Sequence, residues 1–202
     1  MDKRPRVERN RGRSGRRVAT REVRQRFLIV CEGEQTEPNY FRAFQVPGLV
    51  VRIKDVNQRG RALIEKAKQL REAEDYDQVW CVFDRDDLLP GQMNEAHQRA
   101  RQFSIGVAFS NQAFELWYLL HYDFHNVAIT RDDYRTYLER RLGRVYAKNS
   151  HDMYELLRHR QPIAIANARR LLELYDPSRP DQDDPSTTVH RLVEELNKHR
   201  RQ

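Results

Sequence analysis

Apolar side chains change their period once along this chain, near residue 110, and the change separates two kinds of architecture. Before that point short apolar runs alternate with segments whose apolar positions recur at helical spacing. Gln25 to Cys31 reads as a buried strand. Gln35 to Phe44 reads as a helix opened by Thr36, with Pro38 in its first turn, where a missing N–H costs little. Pro47 and Gly48 stop it. From Leu49 to Val56, Val51, Ile53 and Asp55 alternate with Val50, Arg52 and Lys54, which predicts a second, more exposed strand. Leu63, Ala67 and Leu70 mark a helix over 60 to 74. Gln78 to Phe83 is almost wholly apolar, the mark of a central strand covered on both faces. A helix over 90 to 103 and a short fourth strand over 105 to 110 complete a β-α-β-α-β-α-β order. That order predicts an α/β fold with a mostly parallel, four-stranded sheet flanked by helices.

Beyond Ser110 the period is helical throughout. Phe114, Trp117, Tyr118 and His121 share one face, and further helices are predicted over 131–142, 152–158, 162–174 and 187–200. The stretch DPSRPDQDDPST at 176 to 187 reads as a polar loop. None of these helices buries its apolar face without a partner, so the second half is expected to form a C-terminal helical layer on the sheet. The division is then an α/β core over about 23–125 and a helical annex over about 126–202.

Charge adds a third part. The net charge of +7 is uneven: residues 1 to 26 hold eleven Lys or Arg against three acids, and the 26 basic and 27 acidic residues that remain almost cancel. A stretch so rich in Arg and poor in aliphatic side chains buries too little apolar surface to fold alone, so residues 1–22 are expected to form a basic, disordered arm. Such an arm suits phosphates by counter-ion release, or serves solubility or subunit docking. Cys31 and Cys81 fall inside apolar strands without metal-ligand spacing and read as buried, reduced thiols. With no signal peptide and no apolar run of membrane-spanning length, the expectation is a cytoplasmic protein.

The candidate chemistry lies where apolar strands run into acids: FLIVCEGEQTEPNYF at 27–41 and VWCVFDRDD at 79–87. A buried strand ending in acids delivers them to the carboxyl edge of the sheet, where open α/β folds place their sites. Asp84 and Asp86, two apart, point the same way if the chain stays extended, and Glu32 joins them from a neighbouring strand. Oxygen-only side chains at one point make a hard-cation site, most naturally for Mg²⁺ or Mn²⁺. The competing reading makes the aspartates loop or N-cap residues. Glu34, Glu37 and Asp87 are candidates for holding a second ion, although Glu37 also suits a helix first turn. Gly33 marks a tight turn or a close phosphate approach. Ser110 and Asn111 lie at the same sheet edge, with helix capping the stronger reading. Glu115, an acid in an otherwise apolar helix, needs a partner: the metal site, an Arg, or Lys148. Lys148 suits a phosphate or a surface ion pair. His121 and His190 read as packing residues.

Taken together, VCEGEQTEPNYF, VFDRDD, SNQAFELWYLLHY, Tyr146 and Lys148 in VYAKNS, Asn167 and Ala168 in IANARRL, and DPSTTVHRLVEEL resemble the RloB-like proteins over about residues 24 to 198. These are small prokaryotic proteins with a Toprim-like core, often encoded beside ATPases in restriction or phage-defence loci, the AbiL abortive-infection system among them. The resemblance implies that Glu32, Asp84 and Asp86 carry the Toprim signature and that the chain cleaves nucleic acid, DNA or RNA including tRNA, with Mg²⁺ or Mn²⁺. Glu32, Asp84, Asp86, Glu115 and Lys148 become the candidate catalytic residues, and Glu32, Asp84, Asp86, Glu37 and Asp87 the candidate metal ligands. It further implies an ATPase partner and a role as effector of an anti-phage system, and it leaves a homo-oligomer open. Two alternatives stand beside it: a non-catalytic nucleic-acid-binding adaptor with a structural Mg²⁺, and a phospho-receiver, which would need a fifth strand ending in Lys.

Overall fold

The computed structural model describes residues 25–46, 49–85 and 88–200. The basic arm lies outside the described residues. Four parallel strands make the body of one sheet: β1 (Gln25–Cys31), β2 (Leu49–Asp55), β3 (Gln78–Asp84) and β4 (Gly106–Asn111). Their order is β2-β1-β3-β4, so the two most apolar runs lie inside and the alternating β2 takes an edge.

The sheet has five strands rather than the expected four. Ser186–Thr187, read from sequence as part of a polar loop, forms a short β5 antiparallel to β4, pairing Ser110 with Thr187 and Asn111 with Ser186. Hydroxyl groups make this strand without apolar residues. The Thr188 amide and hydroxyl bond the Phe109 carbonyl at 2.9 Å and the Val107 carbonyl at 3.1 Å, and Ser110 Oγ lies 3.0 Å from Thr187 Oγ1. Asn111 Nδ2 donates to the Asp183 carbonyl at 2.7 Å. Ser110 and Asn111 are fully buried and are spent on this join, so they neither cap the next helix, which begins after Phe114, nor reach solvent.

The two faces of β1 are equally apolar because helices cover both. α2 (Gly60–Ala73) and α3 (Pro90–Gln102) place Leu63, Ile64, Ala67, Met93 and Ala96 on Leu28, Val30, Cys81 and Phe83. The other face, Phe27, Ile29, Val82 and Ala108, packs against α1 (Thr36–Arg42) and the helices that follow the sheet: α4 (Glu115–Leu119), α5 (Arg131–Leu142), α6 (Met153–Leu157), α7 (Gln161–Leu172) and α8 (Val189–Asn197). A 3-10 turn at Arg158–Arg160 joins α6 to α7. Tyr40, Phe114, Trp117, Tyr118 and Leu192 share one continuous core with the sheet. At about 25 cal/mol per Å² of apolar surface removed from water, this shared core is the main force holding the helices to the sheet. Polar ties sharpen the fit: Asn167 on α7 donates to the Leu120 carbonyl at 2.8 Å, and Gln161 to the Tyr40 hydroxyl at 3.3 Å.

One close approach fixes the relation of β3 to β4. Trp80 lies across Gly106, its partner in register, and a Cβ at 106 would meet the indole at 2.4 Å.

Candidate active-site cleft

Parallel strands send their carboxyl ends to one edge of the sheet, and there the acids meet. Glu32 follows β1, with its amide bonded to the Val82 carbonyl at 3.0 Å; Asp84 ends β3; and Glu115 opens α4, just beyond β4. The turn after β1 brings Glu37 back over the same point from the first turn of α1. These four acids line one cleft of about 410 Å³, with Lys148, Arg59 and Arg131 on its walls and Glu34 at its rim.

Four acids share this half-buried cleft, and two of them, Asp84 and Glu37, have raised proton affinities. Burial, then the charges of Glu37 and Glu115, hold the Asp84 carboxyl well above the usual aspartate range, with Arg131 opposing. Glu37 is raised for the same first reason. A backbone hydrogen bond opposes that rise, Glu115 adds to it, and Lys148 and Arg131 oppose it again. Two contacts balance part of the charge: Arg59 Nε lies 2.8 Å from Glu32 Oε1, and an Arg131 amino group lies 3.7 Å from Asp84 Oδ2. Asp84 Oδ1 is buried and has no hydrogen-bond partner among the described residues. Glu115 is held from behind by the Tyr146 hydroxyl, which donates to its Oε1 at 3.0 Å.

Of the residues singled out in the sequence, Glu32, Glu37, Asp84, Glu115 and Lys148 lie together here, from segments up to 116 positions apart in the chain. Asp86 and Asp87 lie outside the described residues. A Cβ at Gly33 would stand 3.4 Å from Glu37 Oε2, an ordinary contact, so the turn tolerates a methyl group but a larger side chain would cover that carboxylate. His121 is wholly buried, its Nδ1 2.8 Å from the Trp117 carbonyl, and His190 is buried on α8. Both are packing residues remote from the cleft lining. Cys31 and Cys81 are free, buried thiols, and burial pushes both above the ordinary range.

Arg59 and Arg131 are the charged cleft residues that sequence reasoning missed. Each stands in a charged, exposed stretch, where one cation resembles its neighbours. The usable signal was position: Arg59 immediately precedes α2 and Arg131 opens α5.

Among the described residues, no three His, Cys, Asp or Glu side chains stand together as a ready-made metal ligand set. The donor chemistry nevertheless fits a hard divalent cation: oxygen ligands only, an Asp84 carboxyl that burial and then neighbouring acids push toward its protonated form, and a buried Asp84 oxygen without a hydrogen-bond partner among the described residues.

A mostly parallel α/β sheet with acids from β1, β3 and α4 gathered at its carboxyl edge is the class that this geometry defines. Residues 27–196 match the family model for RloB-like protein, and the chain belongs to that family. No curated protein and no solved structure matches it at a significant level. No helix among the described residues is long and apolar enough to cross a membrane.

Proposed function

We propose that this RloB-like protein is a Toprim-like, divalent-cation-dependent nuclease, the effector of a prokaryotic defence system that works with an ATPase partner. The supporting observation is the single cleft in which Glu32, Glu37, Asp84 and Glu115 crowd together between Lys148, Arg59 and Arg131. Acids alone would repel a phosphodiester; cations on the walls draw it in and spread its charge.

In this reading Asp84 and Glu32, with Asp86 from the same VFDRDD run, would hold Mg²⁺ or Mn²⁺. The bound cation supplies neutralisation of a phosphate oxygen. Lys148 and Arg131, which line the same cleft, orient the phosphate. Water adds to phosphorus and gives a proton to the Glu115 carboxylate as the bond to the departing oxygen breaks. Glu37, which keeps its proton to higher pH than an exposed carboxyl, gives that oxygen a proton. Tyr146 is a positioning residue, acting through Glu115.

The adaptor reading draws on one observation: Arg59 and Arg131 already sit beside Glu32 and Asp84, as in a purely structural charge cluster. The receiver reading loses ground, because β5 is antiparallel and ends at Thr187.

Cleavage of a panel of single- and double-stranded DNA, tRNA and mRNA with Mg²⁺ or Mn²⁺ separates nuclease from adaptor. Glu32→Ala and Asp84→Ala are each expected to reduce cutting by about a hundredfold or more. Absence of cutting with and without the ATPase, combined with nucleic-acid binding undiminished in both variants, would establish the adaptor.

A further inference from the structure

Beside the carboxylate cleft lies a second recess of about 370 Å³, between the start of α5 and the segment that follows it. The two adjoin: Glu115, Arg131 and Lys148 line both. Their linings differ in kind. Val145, Tyr146 and Ala147 line the recess on one side, and Val145 is 75% exposed, the most exposed large hydrophobic residue among those described. Arg131, Arg135 and Lys148 stand around that wall.

The wall is built in advance. Gly143 closes α5 in the left-handed conformation (φ +66°), and Arg144 pairs with Asp152 at 2.6 Å on the far side. Glu139 accepts from the Tyr146 amide at 3.2 Å while paired with Arg135 at 3.1 Å, so one carboxylate fixes the loop backbone and aims a cation. An apolar surface exposed beside Arg131, Arg135 and Lys148 suits a ligand with apolar faces attached to an anion.

We infer that this recess is a nucleobase subsite, which takes one unpaired base of the strand whose phosphate lies in the carboxylate cleft. This rests on the nuclease reading of that cleft. The volume is near the lower end of the range for small-ligand pockets, roughly 300–1,000 Å³, and admits one base with its sugar. A base still stacked and paired in a duplex cannot turn into a side recess without leaving the stack, which costs a few kcal/mol; a base in a loop, bulge or single strand has little to lose. The substrate class that follows is nucleic acid cut at an unpaired position, with Val145 selecting against continuous duplex.

The test uses the full chain in EDTA, where binding is read apart from cleavage. Fluorescence anisotropy is recorded for a labelled 12-nucleotide single strand, for the same strand in blunt duplex, and for a single strand with one central abasic site, in both DNA and RNA. Val145→Trp fills the recess and Val145→Asp charges it; since Val145 is exposed, both variants should keep the wild-type melting temperature, and that is checked first. The expected result is tighter binding of single strand than duplex. Both variants should weaken single-strand binding about tenfold and leave duplex binding within about twofold, a tenfold loss being about 1.4 kcal/mol. Equal binding of single strand and duplex, or no effect of either variant, overturns the subsite, even if Mg²⁺-dependent cutting is found. Conversely, Val145-dependent preference for single strand without cutting in Mg²⁺ or Mn²⁺, with and without the ATPase, would retain the subsite and refute the nuclease. Unchanged nucleic-acid binding in the variants, together with lost binding of the ATPase, would reassign the recess to a protein partner and overturn the inference.

Discussion

Tyr146 and Glu115 share a hydrogen bond of 3.0 Å, and through it a loop beyond α5 holds an acid that belongs to the other side of the cleft. Both residues are buried, so the bond cannot be exchanged for one to bulk water.

Tyr146→Phe should therefore cost about 1–3 kcal/mol, the penalty for leaving a buried polar group without its donor. In a chain of 202 residues that lowers the melting temperature by about 2–4 °C per kcal/mol. The proposed nuclease activity should fall with kcat more than with KM, since Glu115 is displaced while the phosphate-binding cations remain. Unchanged melting and kcat would show that Tyr146 does not position Glu115.

Asp84→Asn should raise stability at neutral pH. The Asp84 carboxyl in the folded protein titrates above its unfolded value, so folding favours the protonated form. Its contribution is fully present below the unfolded pKa and is lost as pH rises through the folded one, which leaves a cost at pH 7 and above. An amide never ionises and escapes that cost. The expected change is a higher melting temperature than wild type at pH 7.5, with the difference vanishing near pH 3, and loss of the Mg²⁺- or Mn²⁺-induced stabilisation expected of the wild type. A variant melting below wild type at pH 7.5 would refute the charge-crowding argument.

Three of the seven histidines should resist protonation. Burial brings His97, His121 and His190 each down to about 4, and neighbouring arginines add to the effect. In the unfolded chain each titrates near 6.5, so between those values the unfolded state binds more protons. Their contribution to stability is whole above about pH 6.5 and declines as pH falls towards 4. Ring C–H resonances followed by NMR from pH 8 to 5 should show three histidines that do not shift; midpoints near 6.5 for these three would refute the assignment.

Gly106→Ala should be costly for a reason local to the sheet. The new methyl would stand 2.4 Å from the Trp80 indole, so Trp80 or the strand must move. Overpacking of this kind costs about 1–3 kcal/mol. Denaturant unfolding measures the loss, and a shift in Trp80 emission would report the displaced ring. Trp80→Leu in the same background should recover part of it; no loss in Gly106→Ala alone would show that the ring yields freely.

The strands were legible where burial imposes a continuous apolar run, as in FLIVC and VWCVF, and the edge position of β2 followed from its alternation. β5 was not legible, because its two residues pair through hydroxyls and backbone and carry no apolar signal. The same distinction holds in the cleft. Glu32 and Asp84 announced themselves by following apolar strands, and Glu115 by interrupting an apolar helix. Arg59 and Arg131 are set by where two helices begin relative to the sheet edge, a relation between distant segments that no local pattern encodes.

The late strand has a consequence for synthesis on the ribosome. Every cleft residue through Lys148 is translated before Ser186 and Thr187, yet those two residues complete the sheet beside β4, where Ser110 pairs with Asp84 on one side and Thr187 on the other. Until they leave the exit tunnel, the edge of β4 has no partner and the buried Ser110 and Asn111 lack their hydrogen bonds. A nascent chain that already contains the named acids and cations is thus a poor template for the cleft, and assembly waits for these two residues.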